Sequence, residues 1–243
     1  MSRGRVLLLI VLTFIVGVIV GIFIGPRLFI AGGDNLILNG SFEQSGQYVS
    51  TPDEPILSDA CKVLCGGSSA LESWQVFRQP VEGSQSCTNA KDAACWGKPS
   101  GTMHAQDGAF TVDLTGEAGR PPRQFGQVQQ SVENTQPGQT YELSFAVGSS
   151  RRFPPPQGTR IGIFVTVVGV QDLFVEAIQT DEPSHWDLRS FRFKAADRLT
   201  TIRFSGSEEP LITGNGGDFL GLDNVVLRKV CFIVNAVLFG CKI

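Results

Sequence analysis

Residues 6 to 24 carry no charge and almost no polar atom, and the run is 19 residues long. As a helix rising about 1.5 Å per residue it extends roughly 28 Å, close to the ~30 Å hydrocarbon thickness of a bilayer. It therefore predicts one transmembrane helix over 6–25, a cytoplasmic stub over 1–5 and a linker over 26–34. Arg3 and Arg5 precede the run and only Arg27 follows closely, which places the N-terminus in the cytoplasm and the rest on the periplasmic or extracellular side. A cleaved leader is the competing expectation, but its apolar region is shorter and ends at a small-x-small site. Here Phe29-Ile30-Ala31 puts a bulky residue where a small one is needed. An uncleaved signal anchor is expected.

Within the run, Thr13, Gly17, Gly21 and Gly25 recur every four residues. On a helix they line one stripe, and small residues at that spacing let a second membrane helix approach. Integral membrane subunits and lipid are thus the expected partners of this segment. The formal net charge of −3 argues against nucleic acid.

After the anchor, glycine (28 in the chain), phenylalanine (17) and short runs of Val, Ile, Thr and Phe point to an all-β domain. Alternation predicts strands over 35–43, 74–81, 109–114, 125–133, 140–148, 159–169, 172–180, 186–195, 200–205 and 220–229. Tyr141, Leu143, Phe145 and Val147 share one face, as do Ile161, Ile163, Val165 and Val167. About ten strands without a convincing soluble helix predict a two-sheet sandwich over 35–230. Stretches 44–73 and 82–108 interrupt it as insertions. Six cysteines lie beyond the anchor: Cys61, Cys65, Cys87, Cys95, Cys231 and Cys241. On the far side of a membrane they are expected to pair as disulfides. Locality suggests 61–65, 87–95 and 231–241, with crossed pairings among the first four left open.

Four segments and one tryptophan together resemble a known family: Asn35-Leu-Ile-Leu-Asn-Gly-Ser-Phe-Glu43 at the start, Leu222-Asp-Asn-Val-Val-Leu227 at the end, and Trp74, Gln127-Val-Gln-Gln130 and Pro137-Gly-Gln-Thr-Tyr-Glu-Leu-Ser-Phe145 between them. The chain resembles the galactose-binding-like jelly roll of many carbohydrate-binding modules and, among such proteins, bacterial extracytoplasmic "choice-of-anchor C" proteins. The resemblance spans about 35–230 and implies Trp74 and Tyr141 as core residues. It also implies one structural calcium at Glu43 and Asp223. The alternative is no cofactor, with Asp223 bonding a turn and Glu43 facing water. Function does not follow from this fold, which hosts many tasks.

No catalytic signature is present: no Gly-x-Ser-x-Gly, no His-Glu-x-x-His and no phosphate loop. A glycan partner needs exposed rings, for which Tyr48, Trp96 and Trp186 are the candidates. Arg120, Arg123, Arg151, Arg152 and Arg160 lie in proline-bearing loops flanking the 125–133 and 140–148 strands. If those strands form a hairpin, the five arginines gather into one basic partner-binding patch. The apolar tail 231–243 is too short to span as a helix and is expected to cover the sandwich, dip into the membrane interface or dock on another subunit. The expected function is a non-enzymatic accessory or structural subunit of a membrane complex. A membrane-tethered carbohydrate-binding module is the alternative.

Overall fold

The computed structural model describes residues 28–45, 56–58, 61–64, 68, 70–76, 94–97, 105–114, 125–150, 160–177, 185–209, 219–234 and 237–239. The predicted membrane run, with Thr13, Gly17, Gly21 and Gly25, lies outside them. Among the described residues there is no helix long and apolar enough to cross a membrane. The chain divides into two compact units.

The larger unit, Asp34–Arg228, holds two antiparallel sheets. Its strands are β2 (Ile56–Ser58), β3 (Cys61–Leu64), β4 (Gln75–Val76), β5 (Ala94–Gly97), β6 (Thr111–Asp113), β7 (Gln127–Val132), β8 (Thr140–Ser150), β9 (Arg160–Val167), β10 (Gln171–Glu176), β11 (Trp186–Lys194), β12 (Thr200–Glu209) and the first part of β13 (Phe219–Val234). One sheet runs β11-β8-β13-β6-β5-β3-β2 and the other β10-β9-β12-β7-β4. The architecture is an all-β sandwich, as the alternation predicted.

Both runs read as one-faced strands bury that face: Tyr141, Leu143, Phe145 and Val147 from one sheet, Ile161, Ile163, Val165 and Val167 from the other. Aromatic rings fill the space between the sheets. Phe204 lies 5.2 Å from Phe145 and 6.1 Å from Trp74 between ring centroids, and Phe42 is 5.1 Å from Trp74. Trp74 and Tyr141 are core residues. Each satisfies its polar tip on the backbone: Trp74 Nε1 donates to Asn39 O and the Tyr141 hydroxyl accepts from Gln136 N. Buried Trp and Tyr need such partners.

Several expectations are corrected. Residues 35–43 form bends and turns, not a strand. The asparagines there take over the backbone's hydrogen bonds. Asn35 Oδ1 accepts from Ile37 N and Leu227 N, and Asn39 bonds both Gln44 N and Gln44 O. Asn39 and Phe42 have φ of 49° and 59°, left-handed values outside the extended region of a regular ladder. Gly40 packs so tightly that a Cβ would run into the Val225 carbonyl. Gly40→Ala is therefore expected to destabilise the larger unit by roughly 1–3 kcal/mol, read as a lowered urea midpoint.

The stretches read as insertions are not only loops. They supply β2, β3 and β5, which extend one sheet through Val63↔Cys95 and Trp96↔Val112. The 125–133 and 140–148 strands do not form a hairpin. β7 belongs to one sheet and β8 to the other, so the Pro137-Gly138 connection crosses the sandwich. The hairpin argument for one arginine patch thus falls away. Arg120, Arg123, Arg151 and Arg152 lie outside the described residues.

The smaller unit comprises Met1–Gly33 and Lys229–Ile243. Residues expected as linker form β1 (Leu28–Gly32), and residues expected as a tail form the end of β13 and β14 (Val237–Phe239). Both β1 and β14 pair antiparallel with β13. Cys231 is disulfide-bonded. Cys65, Cys87 and Cys241 lie outside the described residues, while Cys61 and Cys95 sit on β3 and β5.

Candidate binding face and carboxylate clamp

Inward burial of Ile163, Val165, Ile202, Phe204 and Val128 turns the alternate residues of β9, β12 and β7 outward. Register then assembles an outer face on the five-stranded sheet. One row crosses all five strands: Asp172↔Thr166, Thr166↔Arg203, Arg203↔Gln129 and Gln129↔Gln75. The next row is Phe174↔Phe164, Phe164↔Ser205 and Ser205↔Gln127.

The polar row is internally bonded. Arg203 Nε and Nη2 donate to Gln129 Oε1 at 3.2 and 3.1 Å, and Gln129 Nε2 donates to Gln75 Oε1 at 3.0 Å. Ser131 and Thr201 share a hydroxyl hydrogen bond of 2.9 Å on the same face. Side chains tied in this way lose little further freedom on meeting a ligand. Beside them, Phe164 and Phe174 are half-buried, with centroids 5.1 Å apart at 56°. The Arg160 guanidinium lies 5.4 Å from the Phe174 centroid, within cation–π range. Gly162 makes room for that ring, because a Cβ there would come 2.7 Å from Phe174 Cζ.

The predicted calcium pair occupies a different place. Asp223 Oδ2 accepts from Gln106 N at 2.8 Å and Asp107 N at 3.1 Å, and its Oδ1 accepts from Asn224 N. Glu43 Oε1 accepts from Ala109 N at 2.8 Å and Phe110 N at 2.7 Å. The two carboxylates, from opposite ends of the fold, thus hold one short segment, 106–110. Gly108, at φ 71°, turns that segment against the Glu43 side chain. Asp223 is fully buried. Burial pushes its pKa from 3.8 up to about 7, the negative Asp107 adds to this, and the three backbone donors oppose it. The Gln106 side-chain oxygen is buried without a hydrogen-bond partner.

The predicted aromatic platform does not assemble. Trp96 is 8% exposed, stacks on Phe110 at 5.3 Å and donates from Nε1 to Phe42 O. It is a core residue, placed there because β5 joins the sheet. Trp186 is half-buried at the start of β11, and Tyr48 lies outside the described residues. Arg160 is the one predicted basic-loop residue that is described, and it stands at the outer face. Sequence reasoning missed Gln75, Gln129, Arg203, Phe164 and Phe174. The signal for the last two was available: Phe164 is out of phase with Ile163 and Val165, and Phe174 with Val175.

No family model and no curated protein matches this chain. Among solved structures, it is similar to TmCBM61 in complex with β-1,4-galactotriose, at 18% identity over 81% of this chain and 99% of that one, with a TM-score of 0.44. The apo form of a cyclase from Fischerella sp. is similar at 15% identity, over 84% and 96% of the two chains, with a TM-score of 0.48. A family 35 carbohydrate binding module from Clostridium thermocellum is similar at 16% identity, over 55% and 86%, with a TM-score of 0.35. Likenesses at such identities and TM-scores say nothing of what this chain binds.

Proposed function

We propose that the larger unit is a non-catalytic carbohydrate-binding module of the galactose-binding-like kind, held by residues 6–25 at a membrane on its periplasmic or extracellular side. The supporting observation is the outer face of the five-stranded sheet. A sugar ring offers an apolar face and a rim of hydroxyls. Phe164 and Phe174 suit the first, and the Gln75–Gln129–Arg203 row suits the second. Binding sites commonly combine apolar walls with a few oriented polar groups. Strands lie about 4.8 Å apart, so a row across five of them extends roughly 19 Å. That length suits an extended saccharide of several units better than a single sugar.

The test is titration calorimetry of the purified protein against neutral oligosaccharides of increasing length. Affinity is expected to rise with length and then level off. Phe174→Ala is expected to weaken binding at least ~10-fold, equivalent to about 1.4 kcal/mol, with the melting temperature little changed. A folded protein that binds no member of a broad glycan panel would reject the reading.

One structural calcium at Glu43 and Asp223 belongs to the same proposal. Among the described residues no group of three or more His, Cys, Asp or Glu side chains gathers. A cation here would draw on these two carboxylates and on amide or carbonyl oxygens, the hard donors that calcium accepts. The unpartnered Gln106 oxygen and the costly burial of the Asp223 charge both fit such an ion.

A further inference from the structure

The strand paths of the two sheets end at four strands: β11 and β2 in one, β10 and β4 in the other. A regular sheet edge recruits further strands, so folded proteins commonly blunt their edges. Three of these four are blunted. β11 turns Asp187 and Arg189 inward, in register with Val147 and Phe145. β2 has three residues and a register shift against β3. β4 has two residues. β10 carries no such device. Its six residues pair with β9 in unbroken register from Gln171↔Val167 to Glu176↔Gly162, with no proline and no inward charge. Its inward residues are Gln171, Leu173 and Val175, opposite the buried Val167, Val165 and Ile163. Leu173 is nonetheless 37% exposed, so apolar inner surface reaches solvent along this edge.

The backbone of β10 alternates as an antiparallel ladder requires. Ala177 N donates to Ile161 O at 2.9 Å, which makes Ala177 opposite Ile161 a hydrogen-bonded position. Steps of two residues then put Val175, Leu173 and Gln171 on hydrogen-bonded positions as well. Asp172, Phe174 and Glu176 fall between them, so their N–H and C=O groups point away from β9 toward the outer edge. β9 is the one described strand that β10 pairs with. The same three residues set the charge of the edge. On the outer face, the exposed Asp172 and Glu176 flank the half-buried Phe174. This pattern selects among strands, because directly opposed like charges destabilise a pair and opposite charges stabilise it. A second copy of β10, overlapped antiparallel about Phe174, would set Asp172 against Glu176 twice. A strand with Lys or Arg opposite both carboxylates instead gains from them. Apolar residues opposite Leu173 and Val175 complete the match, since an added strand is read through alternate side chains.

We propose that β10 is a docking edge for an extended segment of a partner protein. The segment joins the five-stranded sheet as a sixth strand, with basic residues beside Asp172 and Glu176 and apolar residues beside Leu173 and Val175. The inference is independent of any saccharide on the outer face. The test uses the full chain in mild detergent and a dye-labelled, end-capped peptide with the core Lys-Val-Thr-Val-Lys. Fluorescence anisotropy is expected to show saturable binding that weakens with added salt. With peptide at about four times its Kd, amide exchange at Asp172, Phe174 and Glu176 is expected to slow about 5-fold, in proportion to the bound-to-free ratio plus one. Exchange on β4 is expected to stay unchanged. Leu173→Lys puts a charge on the inner side of the edge, and Glu176→Pro removes an outward N–H that β9 does not use. Each is expected to weaken binding at least ~10-fold with the melting temperature little changed. A peptide that does not bind, or that binds without slowing exchange at those three amides, overturns the inference. So does binding that survives both substitutions, or equal binding of a Glu-Val-Thr-Val-Glu peptide. Protection of the three amides that grows with protein concentration alone also overturns it, since a second copy would then occupy the edge.

Discussion

Phe204→Ala is expected to lower the unfolding free energy of the larger unit by about 3–5 kcal/mol. Phe204 is fully buried, and its ring joins Phe145 of one sheet to Trp74 beside the other. Truncation removes the ring's transfer free energy and leaves a cavity that close-packed neighbours fill poorly. Domains of this size are stable by only about 5–15 kcal/mol, so the loss is a large fraction of the total. Urea titration followed by tryptophan emission reads it as a lower midpoint at constant slope. Leu188→Ala is the matched control: Leu188 is 69% exposed, and its expected change is within about 0.5 kcal/mol. Similar small losses from both substitutions would mean that the two sheets do not share the core described.

Between pH 5 and 8, with a chelator present, the protein is expected to lose stability as the pH rises. The cause is Asp223. Its folded pKa of about 7 stands above the unfolded 3.8. Between these values the folded state holds a proton that the unfolded state has released, so stability falls with rising pH and levels off above about 7. At 1.36 kcal/mol per pKa unit the span is on the order of a few kcal/mol. Melting temperatures across that window read it directly. Asp223→Asn is expected to flatten the profile, because the residue no longer titrates. Calcium is expected to reverse the fall, by favouring the ionised carboxylate that burial disfavours. Stability that climbs from pH 5 to 8 without a cation would show that Asp223 is comfortably ionised in the fold. A calcium addition that leaves the profile unchanged would remove the ion from the proposal.

The two acidic residues of the clamp differ in burial. Glu43 and Asp223 both accept two backbone donors from the same segment. Glu43 is half-buried and Asp223 fully buried. For Asp223, desolvation outweighs the hydrogen bonds.

The edge strand β11 shows a second use of charge. Asp187 lies 3.3 Å from the Arg189 guanidinium and 3.7 Å from His185 Nε2. Both Asp187 and Arg189 stand in register with inward residues, opposite Val147 and Phe145. Charged side chains placed inward on an edge discourage pairing with another chain.

Alternation along the chain was enough to place β8 and β9 and to name their buried faces. Apolar side chains at every second position can be buried together only on an extended strand, so the pattern carries its own geometry. The core roles of Trp74 and Tyr141 were legible from the family resemblance. Other features depended on partners distant in sequence. β3 and β5 are four residues each and lack alternation, and they are strands because β6 offers β5 an edge and β5 in turn offers one to β3. Residues 35–43 alternate convincingly, yet Asn35 and Asn39 capture the backbone groups that a ladder would need. The crossing between β7 and β8 has the turn residues of a hairpin, and only the placement of the two strands in separate sheets excludes one. The outer row of Asp172, Thr166, Arg203, Gln129 and Gln75 is the clearest case. Each residue's outward direction follows from its own strand, but their meeting depends on four registers set by packing across the whole sandwich. By itself the sequence determined an all-β domain and its buried strand faces. Tertiary structure alone decided which outward residues became neighbours, because strand pairing joins segments whose separation along the chain leaves no local trace.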